Sequence, residues 1–313
     1  MTRREAPSDP AARVRPEQPA LRRLLVGCDE SDASTSAASF ALSLAGMTGA
    51  SAVLLHTGPT TDEAYLYAEE LDVATEQVAA GERAWRQRLE ALREYGPPGV
   101  SVECRVERGA PAAALVAAAI ELEADLVLVG TGGVGRLRGA VLGSVSSPVL
   151  QHAPCSVMLF PEREPASAVL VRTVVVGIDG SPSSAYALQV GQALAVALGA
   201  TLMLAHVVDP KLPVTAHPPK AALGQMRTGG MRILHEARQS VSAAAEDVAE
   251  QLLEGRPREE LVRASEQHGS AVLVVGTRGL GGFRELLLGS TSRWVVNNAR
   301  CPVLVAREPA GGG

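Results

Sequence analysis

The stretches GTGGVGRLRGAVLGSVSS at residues 130–147 and GTRGLGGFRELLLGSTSR at 276–293 are two copies of one pattern. Each runs Gly, two residues, Gly, nine residues, Gly-Ser. Gly130, Gly133, Gly143 and Ser144 fill it first, and Gly276, Gly279, Gly289 and Ser290 fill it again. A repeated spacing of that length calls for a search for self-similarity along the whole chain. Upstream, RRLLVGCDES at 22–31 matches RTVVVGIDGS at 172–181, each an aliphatic run ending in Gly, one apolar residue and Asp. Both read as a buried strand leading into a helix N-terminus. The helical patterns ASTSAASFALSLAGMTG and SSAYALQVGQALAVALG follow, each closed by a glycine cap. Two further apolar strands, SAVLLHTGP and ATLMLAHVVDP, carry His56 and His206 near their ends. Later, VERGAPAAALVAAAIELEADLVLVGT aligns with LLEGRPREELVRASEQHGSAVLVVGT, and QHAPCSVMLF aligns with NNARCPVLVA as a closing strand.

Strands therefore alternate with helices in both halves, and apolar runs without period-2 alternation predict a parallel sheet covered on both faces. The fold class is α/β, twice over. The expected boundaries are a disordered tail over 1–20, a first domain over 21–161, a linker over 162–170 and a second domain over 171–308. The linker falls where prolines and charges in FPEREPASAVLV interrupt the apolar pattern. The halves differ most in the middle. A long helical stretch is expected from about Asp62 to Arg93, whereas DPKLPVTAHPPKAALGQMRTGG reads as a Pro- and Gly-rich loop. VSVECRVE reads as the third strand of the first half, but AEDVAEQLLEG passes equally well for helix or strand.

Composition narrows the function classes. A chain of 313 residues, 46% hydrophobic, can bury two cores of ordinary size. Its net charge of -5 argues against nucleic acid as a partner. The Pro-rich, charged N-terminal segment has no apolar core of a signal peptide, and no apolar run is long enough to span a bilayer. Four cysteines without a C-x-x-C pair suit a reducing cytoplasm.

Both glycine patterns start where a strand ends, and loops at the carboxyl ends of parallel strands are where such sheets take ligands. Glycines leave backbone N–H groups uncovered, so a polyanion can approach closely. The segments GSVSSPVLQHA and GSTSRWVVNNA read as helices with hydroxyl-rich first turns, and a helix N-terminus with free N–H groups is a natural seat for phosphate. Asp29 and Asp179 end the first strand of each half. A carboxylate repels phosphate, so its more sensible partner is a ribose hydroxyl. Phosphate at the glycines and sugar at the aspartate together describe a nucleotide.

With these motifs the chain resembles a tandem universal stress protein, over essentially everything from Leu24 to Arg307. That resemblance implies two Rossmann-like domains, each a five-stranded parallel sheet of order 3-2-1-4-5 with helices on both faces. It also implies ATP, with or without Mg, bound once in each domain. In the first, Asp29 would meet ribose, Gly27 and Thr57 adenine, and Gly130, Gly133, Gly143 and Ser144 phosphate, with Val129, Val145 and Ser146 completing the site. In the second, Asp179, Gly177 and Val207 would play the first roles and Gly276, Gly279, Gly289 and Ser290 the last, completed by Val275, Thr291 and Ser292. Thr57 departs from the valine of the ATP-binding subclass, and Ser156 from the proline kept at Pro302.

Each feature has a plainer reading beside it. The glycines could form structural turns, and the aspartates could cap helices. GTGGVG satisfies the dinucleotide fingerprint G-x-G-x-x-G, but that belongs after the first strand of a unit, and Arg278 breaks it in the second copy. Cys28 could sense oxidants or simply fill the core, where Cys155 and Cys301 are also expected. His56 and His206 lack clustered metal partners and read as structural or as pocket wall. Arg138 and Arg284 could reach phosphates or lie in solvent. Three function classes follow. The first is a stress regulator whose conformation, or whose affinity for a regulatory protein partner, reports a bound adenine nucleotide, ATP above all; the family resemblance also allows a homodimer. A slow ATP hydrolase or phosphotransferase is the second, although no G-x-x-x-x-G-K-[ST] occurs and neither glycine stretch holds a lysine or histidine. The third is an interaction module with vestigial sites.

Overall fold

The computed structural model describes residues 19, 21–66, 71–131, 142–162, 170–210, 220–268, 270–279 and 288–308. The first half folds as β1 (Arg23–Gly27), α1 (Asp32–Thr48), β2 (Ser51–Gly58), α2 (Thr61–Tyr65), α3 (Leu71–Arg93), β3 (Ser101–Arg108), α4 (Pro111–Glu121), β4 (Leu126–Gly130), α5 (Ser146–His152) and β5 (Ser156–Phe160). The second repeats it as β6 (Thr173–Gly177), α6 (Pro182–Leu198), β7 (Thr201–Val208), α7 (Lys220–Ser240), β8 (Val248–Glu254), α8 (Pro257–Gln267), β9 (Ala271–Gly276), α9 (Ser290–Asn298) and β10 (Val303–Ala306).

Leu24 and Val26 of β1 feed one buried cluster while Leu25 feeds the other, which is why the strand shows no polar alternation. Helices α1, α3, α6 and α7 cover the first face, and α4, α5, α8 and α9 the second. Ser31 and Ser181 cap α1 and α6 by accepting from the N–H groups of Ser34 and Ser184, both at 3.1 Å. Gly49 and Gly199 end these helices at φ of 72° and 59°, a left-handed conformation that glycine adopts without strain.

The strand order is β3-β2-β1-β4-β5-β10-β9-β6-β7-β8, so each half has the order 3-2-1-4-5 and the two sheets run on as one of ten strands. Pairing is parallel within each half. At the seam β10 lies antiparallel to β5, with Val303 opposite Leu159 and Val305 opposite Val157. Ser156, the departure from proline, has a use there: its Oγ accepts from Arg307 N–H at 3.2 Å.

Two expectations change in the middle of the halves. Lys220 to Gly230, read as loop, forms the start of α7, although Gly224, Gly229 and Gly230 are poor helix formers. Close packing explains the last of them, since a Cβ on Gly230 would lie 2.7 Å from Leu252 Cδ1. AEDVAEQLLEG resolves as strand β8, parallel to β7 from Val248 to Glu254. Leu252 packs into one core face and Leu253 into the other, a period of two that decides for strand. The helical stretch of the first half divides into α2 and α3, with 67–70 outside the described residues. Residues 1–18 and 163–169, most of the expected tail and linker, also lie outside them.

Candidate functional site

Strand order reverses between β1 and β4, and in a doubly wound sheet a crevice opens beyond the carboxyl ends of such a pair. Here β1 and β4 are direct neighbours, with Val26 opposite Leu128, so Asp29 and Gly130 emerge side by side. A cavity of about 260 Å³ lies there, bounded also by β2, α4 and α5. Of the residues expected in the first site, Gly27, Asp29, Thr57, Val129, Gly130, Gly143, Ser144, Val145 and Ser146 all line it. Gly133 and Arg138 fall outside the described residues.

Glycine is required where backbone meets backbone or a neighbouring helix. A Cβ on Gly27 would come within 2.9 Å of Leu115 Cδ1, and one on Gly130 within 3.0 Å of Ala33 Cβ. Gly143 differs: a Cβ there meets nothing closer than Thr131 O at 3.4 Å, so its small size leaves room rather than relieving a clash. Ser146 Oγ accepts from Gly143 N–H at 3.0 Å and holds that turn. The expected symmetry of the two hydroxyl-rich turns is only partial. Helix α9 begins at Ser290, but Ser144 and Val145 precede α5, which starts at Ser146. Ser292, the counterpart of Ser146, instead donates to Gly276 O at 2.7 Å.

The aspartates are not the helix caps. Asp29 Oδ1 accepts from the N–H of the cap residue Ser31 at 2.9 Å and from its hydroxyl at 2.5 Å. Asp179 Oδ1 accepts from Ser181 N–H at 3.0 Å. One oxygen of each therefore braces the strand-to-helix corner. In the second domain Asp179 Oδ2 faces the signature: a Cβ on Gly279 would lie 2.5 Å from it. Gly289 N–H closes its turn onto Thr277 O at 2.7 Å, and Gly177 packs its backbone under Leu261, 3.1 Å from a Cβ. Val207 and Val275 stand one residue before the ends of β7 and β9, Thr291 lies in the first turn of α9, and Arg284 is outside the described residues.

The histidines serve the corner as well. His56 Nδ1 contacts Cys28 O at 2.8 Å and His206 Nδ1 contacts Ile178 O at 2.6 Å. A carbonyl only accepts, so Nδ1 carries the proton in both. Burial pushes the His56 pKa below its usual 6.5, which keeps the ring neutral. Cys28 is buried, and that burial, with Asp29 beside it, raises its thiol to about 12. A thiol so protonated is a poor oxidant sensor, and Cys155, also held near 12 by burial, behaves as core. Among the described residues no three His, Cys, Asp or Glu side chains are grouped to hold a metal ion. No helix among them is long and apolar enough to cross a membrane.

Leu55, Pro111, Leu115 and Thr131 also line the cavity and were not singled out in the sequence. The Gly-x-Pro turn at 109–111 was the available signal, since it sets α4 over the crevice.

Comparison with known proteins adds the lineage. The chain is 34% identical over 239 residues to a universal stress protein of Mycobacterium tuberculosis, a match covering 70% of this chain and 72% of that one. Another universal stress protein of the same species is 32% identical over 200 residues, and the chain spans 61% of its length. The crystal structure of a universal stress protein from Archaeoglobus fulgidus shares the fold, with a TM-score of 0.65 at 19% identity, covering 93% of this chain and 99% of that one. The family model described as the universal stress protein family matches twice, at residues 20–161 and 171–307. With two matched copies, each holding the doubly wound order and a glycine turn at its switch point, the chain belongs to the universal stress protein family.

Proposed function

We propose that the protein binds an adenine nucleotide, ATP first among them, once in each domain, and acts as a regulator by changing conformation or partner affinity with occupancy. One observation carries this reading. Asp29, Gly130, Gly143 and Ser144 line one first-domain cavity together. Sugar hydroxyls suit the carboxylate, and phosphates suit the turn at Gly143 and Ser144, where Gly143 N–H is already given to Ser146 Oγ and Ser144 carries a hydroxyl. Leu55, Leu115 and Val129 supply an apolar wall for a base. Its volume of about 260 Å³ lies just under the range usual for small-molecule sites, and the cavity is open to solvent on one side, so a nucleotide would be only partly enclosed. By repeat equivalence Gly177, Asp179, Val207, Val275, Gly276, Gly279, Gly289, Ser290, Thr291 and Ser292 hold the second nucleotide. Mg would accompany the phosphates with water and phosphate oxygens as its main ligands.

Regulation is favoured over turnover by the chemistry of the lining. His56 lines the cavity, but its ring is held by Cys28 O and stacked on Trp85, ring centroids 3.5 Å apart, so its imidazole is already engaged. Asp29 is already bonded to Ser31. The test is to denature freshly purified protein, identify released small molecules, and titrate the emptied protein with ATP. Two equivalents of adenine nucleotide per chain are expected. A chain that carries none and ignores added ATP, ADP, AMP and cyclic AMP would overturn the proposal, whereas rapid formation of ADP would replace the regulator with an enzyme.

A further inference from the structure

The turn that carries Gly143 is held from the other domain. Leu142 donates its backbone N–H to Asn297 Oδ1 at 3.1 Å. Asn297 stands in the last turn of α9, whose first residue, Ser290, belongs to the second glycine signature. Its own amide nitrogen donates to Arg293 O at 2.7 Å, which fixes the orientation of the side chain and presents the oxygen to Leu142. Gln151, at the matching place in α5, turns its amide back to Ser147 at 3.5 Å. The hold is therefore not a symmetric consequence of the repeat.

A second bridge runs the opposite way. Arg307, just beyond β10, donates to Leu150 O at 2.7 Å, Gln151 O at 3.0 Å and Ala153 O at 3.1 Å. These are carbonyls at the C-terminal end of α5, where a cation is favoured. Pro161 occupies the matching position in the first domain and has no such donors. Burial, with Arg278 of the second glycine stretch adding repulsion, lowers the pKa of this guanidinium. Each bridge joins the carboxyl edge of one half to the helix end at the amino edge of the other, because β10 runs antiparallel to β5.

We propose that Asn297 is a positioning residue for the nucleotide site of the first domain, so that α9, fixed at one end to the second glycine turn and at the other to the first, couples the two sites. This inference rests on the reading of both turns as phosphate seats. Its physical basis is the cost of an orphaned amide: without Asn297 Oδ1, Leu142 N–H must find water or turn away, and Gly143 moves with it.

The experiment uses the full chain with Asn297→Ala, with Asn297→Asp, which keeps an acceptor oxygen, and with Asn298→Ala. The last removes a neighbouring side chain whose bond goes to Trp294 within the same helix. Alanine is the best helix former, so α9 survives the changes to alanine. Amide hydrogen exchange across 142–146 in nucleotide-free protein reads the positioning itself. ATP affinity of the first site, measured with the second closed by Gly289→Glu, reads its consequence. Asn297→Ala is expected to speed exchange and to weaken first-site binding roughly 3- to 10-fold, the worth of one hydrogen bond. Asn298→Ala should stay near the parent, and Asn297→Asp, which keeps the acceptor but loses the donor to Arg293 O, should fall between the parent and Asn297→Ala. With Gly289 intact, filling the second site should alter first-site affinity in the parent and not in Asn297→Ala. Unchanged exchange and unchanged affinity in Asn297→Ala would overturn the inference even if both sites bind ATP. Absence of ATP binding in the parent would overturn the nucleotide reading, and exchange alone would then decide whether Asn297 positions the turn.

Discussion

Over the end of β2 the ring of Trp85 lies flat on His56, centroids 3.5 Å apart and planes within 11°. Over the end of β7 the matching place on α7 is Gly230, where a Cβ would stand only 2.8 Å from His206 Cδ2. In one domain an indole fills the space between helix and sheet, and in the other the helix backbone comes down into it. The neighbours follow suit. Arg88 lies 5.2 Å from the Trp85 ring and 3.9 Å from Glu30, whereas the corresponding Ile233 packs towards Gly180. At the outer strands Arg108 pairs with Glu82, while Glu254 pairs with Arg227 with the charges exchanged. Through all of this the imidazole-to-carbonyl bond that pins the first strand's exit persists in both copies. What the repeat holds constant is the corner beside the glycine turn. The means of covering it are free to vary.

The largest test of that division concerns the turns themselves. Gly143→Glu and Gly289→Glu should each remove one ATP site and leave the other countable by calorimetric titration. Negative charge in a phosphate seat costs several kcal/mol, roughly 100-fold or more in affinity. Ordinary contacts surround both positions, with nearest atoms at 3.4 Å and 3.5 Å, so the fold should survive. Retention of two sites in either variant would break the equivalence. Next comes Gly276→Ala, whose Cβ would run into Ser183 Oγ and meet Ser183 O at 2.7 Å; about 3 kcal/mol of urea stability should be lost. Gly130→Ala, facing Ala33 at 3.0 Å, should lose about 1 kcal/mol, and equal losses would contradict the tighter second corner.

Trp85→Ala should cost about 2 kcal/mol, less than a fully buried indole because the ring is half-buried. The same variant should leave second-domain ATP binding untouched. A smaller effect comes from His56. Its folded-state pKa lies below the 6.5 of the unfolded chain, so as pH falls past 6.5 the unfolded state takes up the proton first. Stability should then decline from about pH 6.5 downward until the folded-state value is passed, and His56→Gln should flatten that part of the profile between pH 7.5 and 5.5. The least effect is expected from exchanging Arg108 and Glu82 to imitate the second domain. Either single reversal should lower the unfolding midpoint slightly, and the double reversal should restore it, because both groups are at the solvent boundary.

The repeated motifs made the α/β class readable from residues and carried the family resemblance, which in turn implied the strand order, because Gly-x-Asp at a strand end and the long glycine spacing each constrain backbone position rather than side-chain identity. Where packing decided, the residues spoke less clearly. KAALGQMRTGG looked like loop because glycine disfavours helix in isolation, yet Gly230 is needed for a close approach to β7. β8 was ambiguous because its alternation, Leu252 to one face and Leu253 to the other, spans too few apolar residues to stand out. The lining residues Pro111 and Leu115 come from α4, which meets the crevice only through tertiary packing. Nothing local in NNARC announces that Asn297 reaches a residue 155 positions earlier.

The antiparallel join of β5 and β10 has a consequence for how the two halves can change with time. Two separate identical chains pairing along such an edge would fall apart on dilution, and any substitution would strike both sides of the seam at once. One polypeptide holding both edges escapes both constraints. Ser156 against Pro302, Gln151 against Asn297 and Pro161 against Arg307 are all one-sided differences beside that join. Covalent linkage lets the two equivalent surfaces differ from each other, and with that difference comes a direction in which one half can act upon the other.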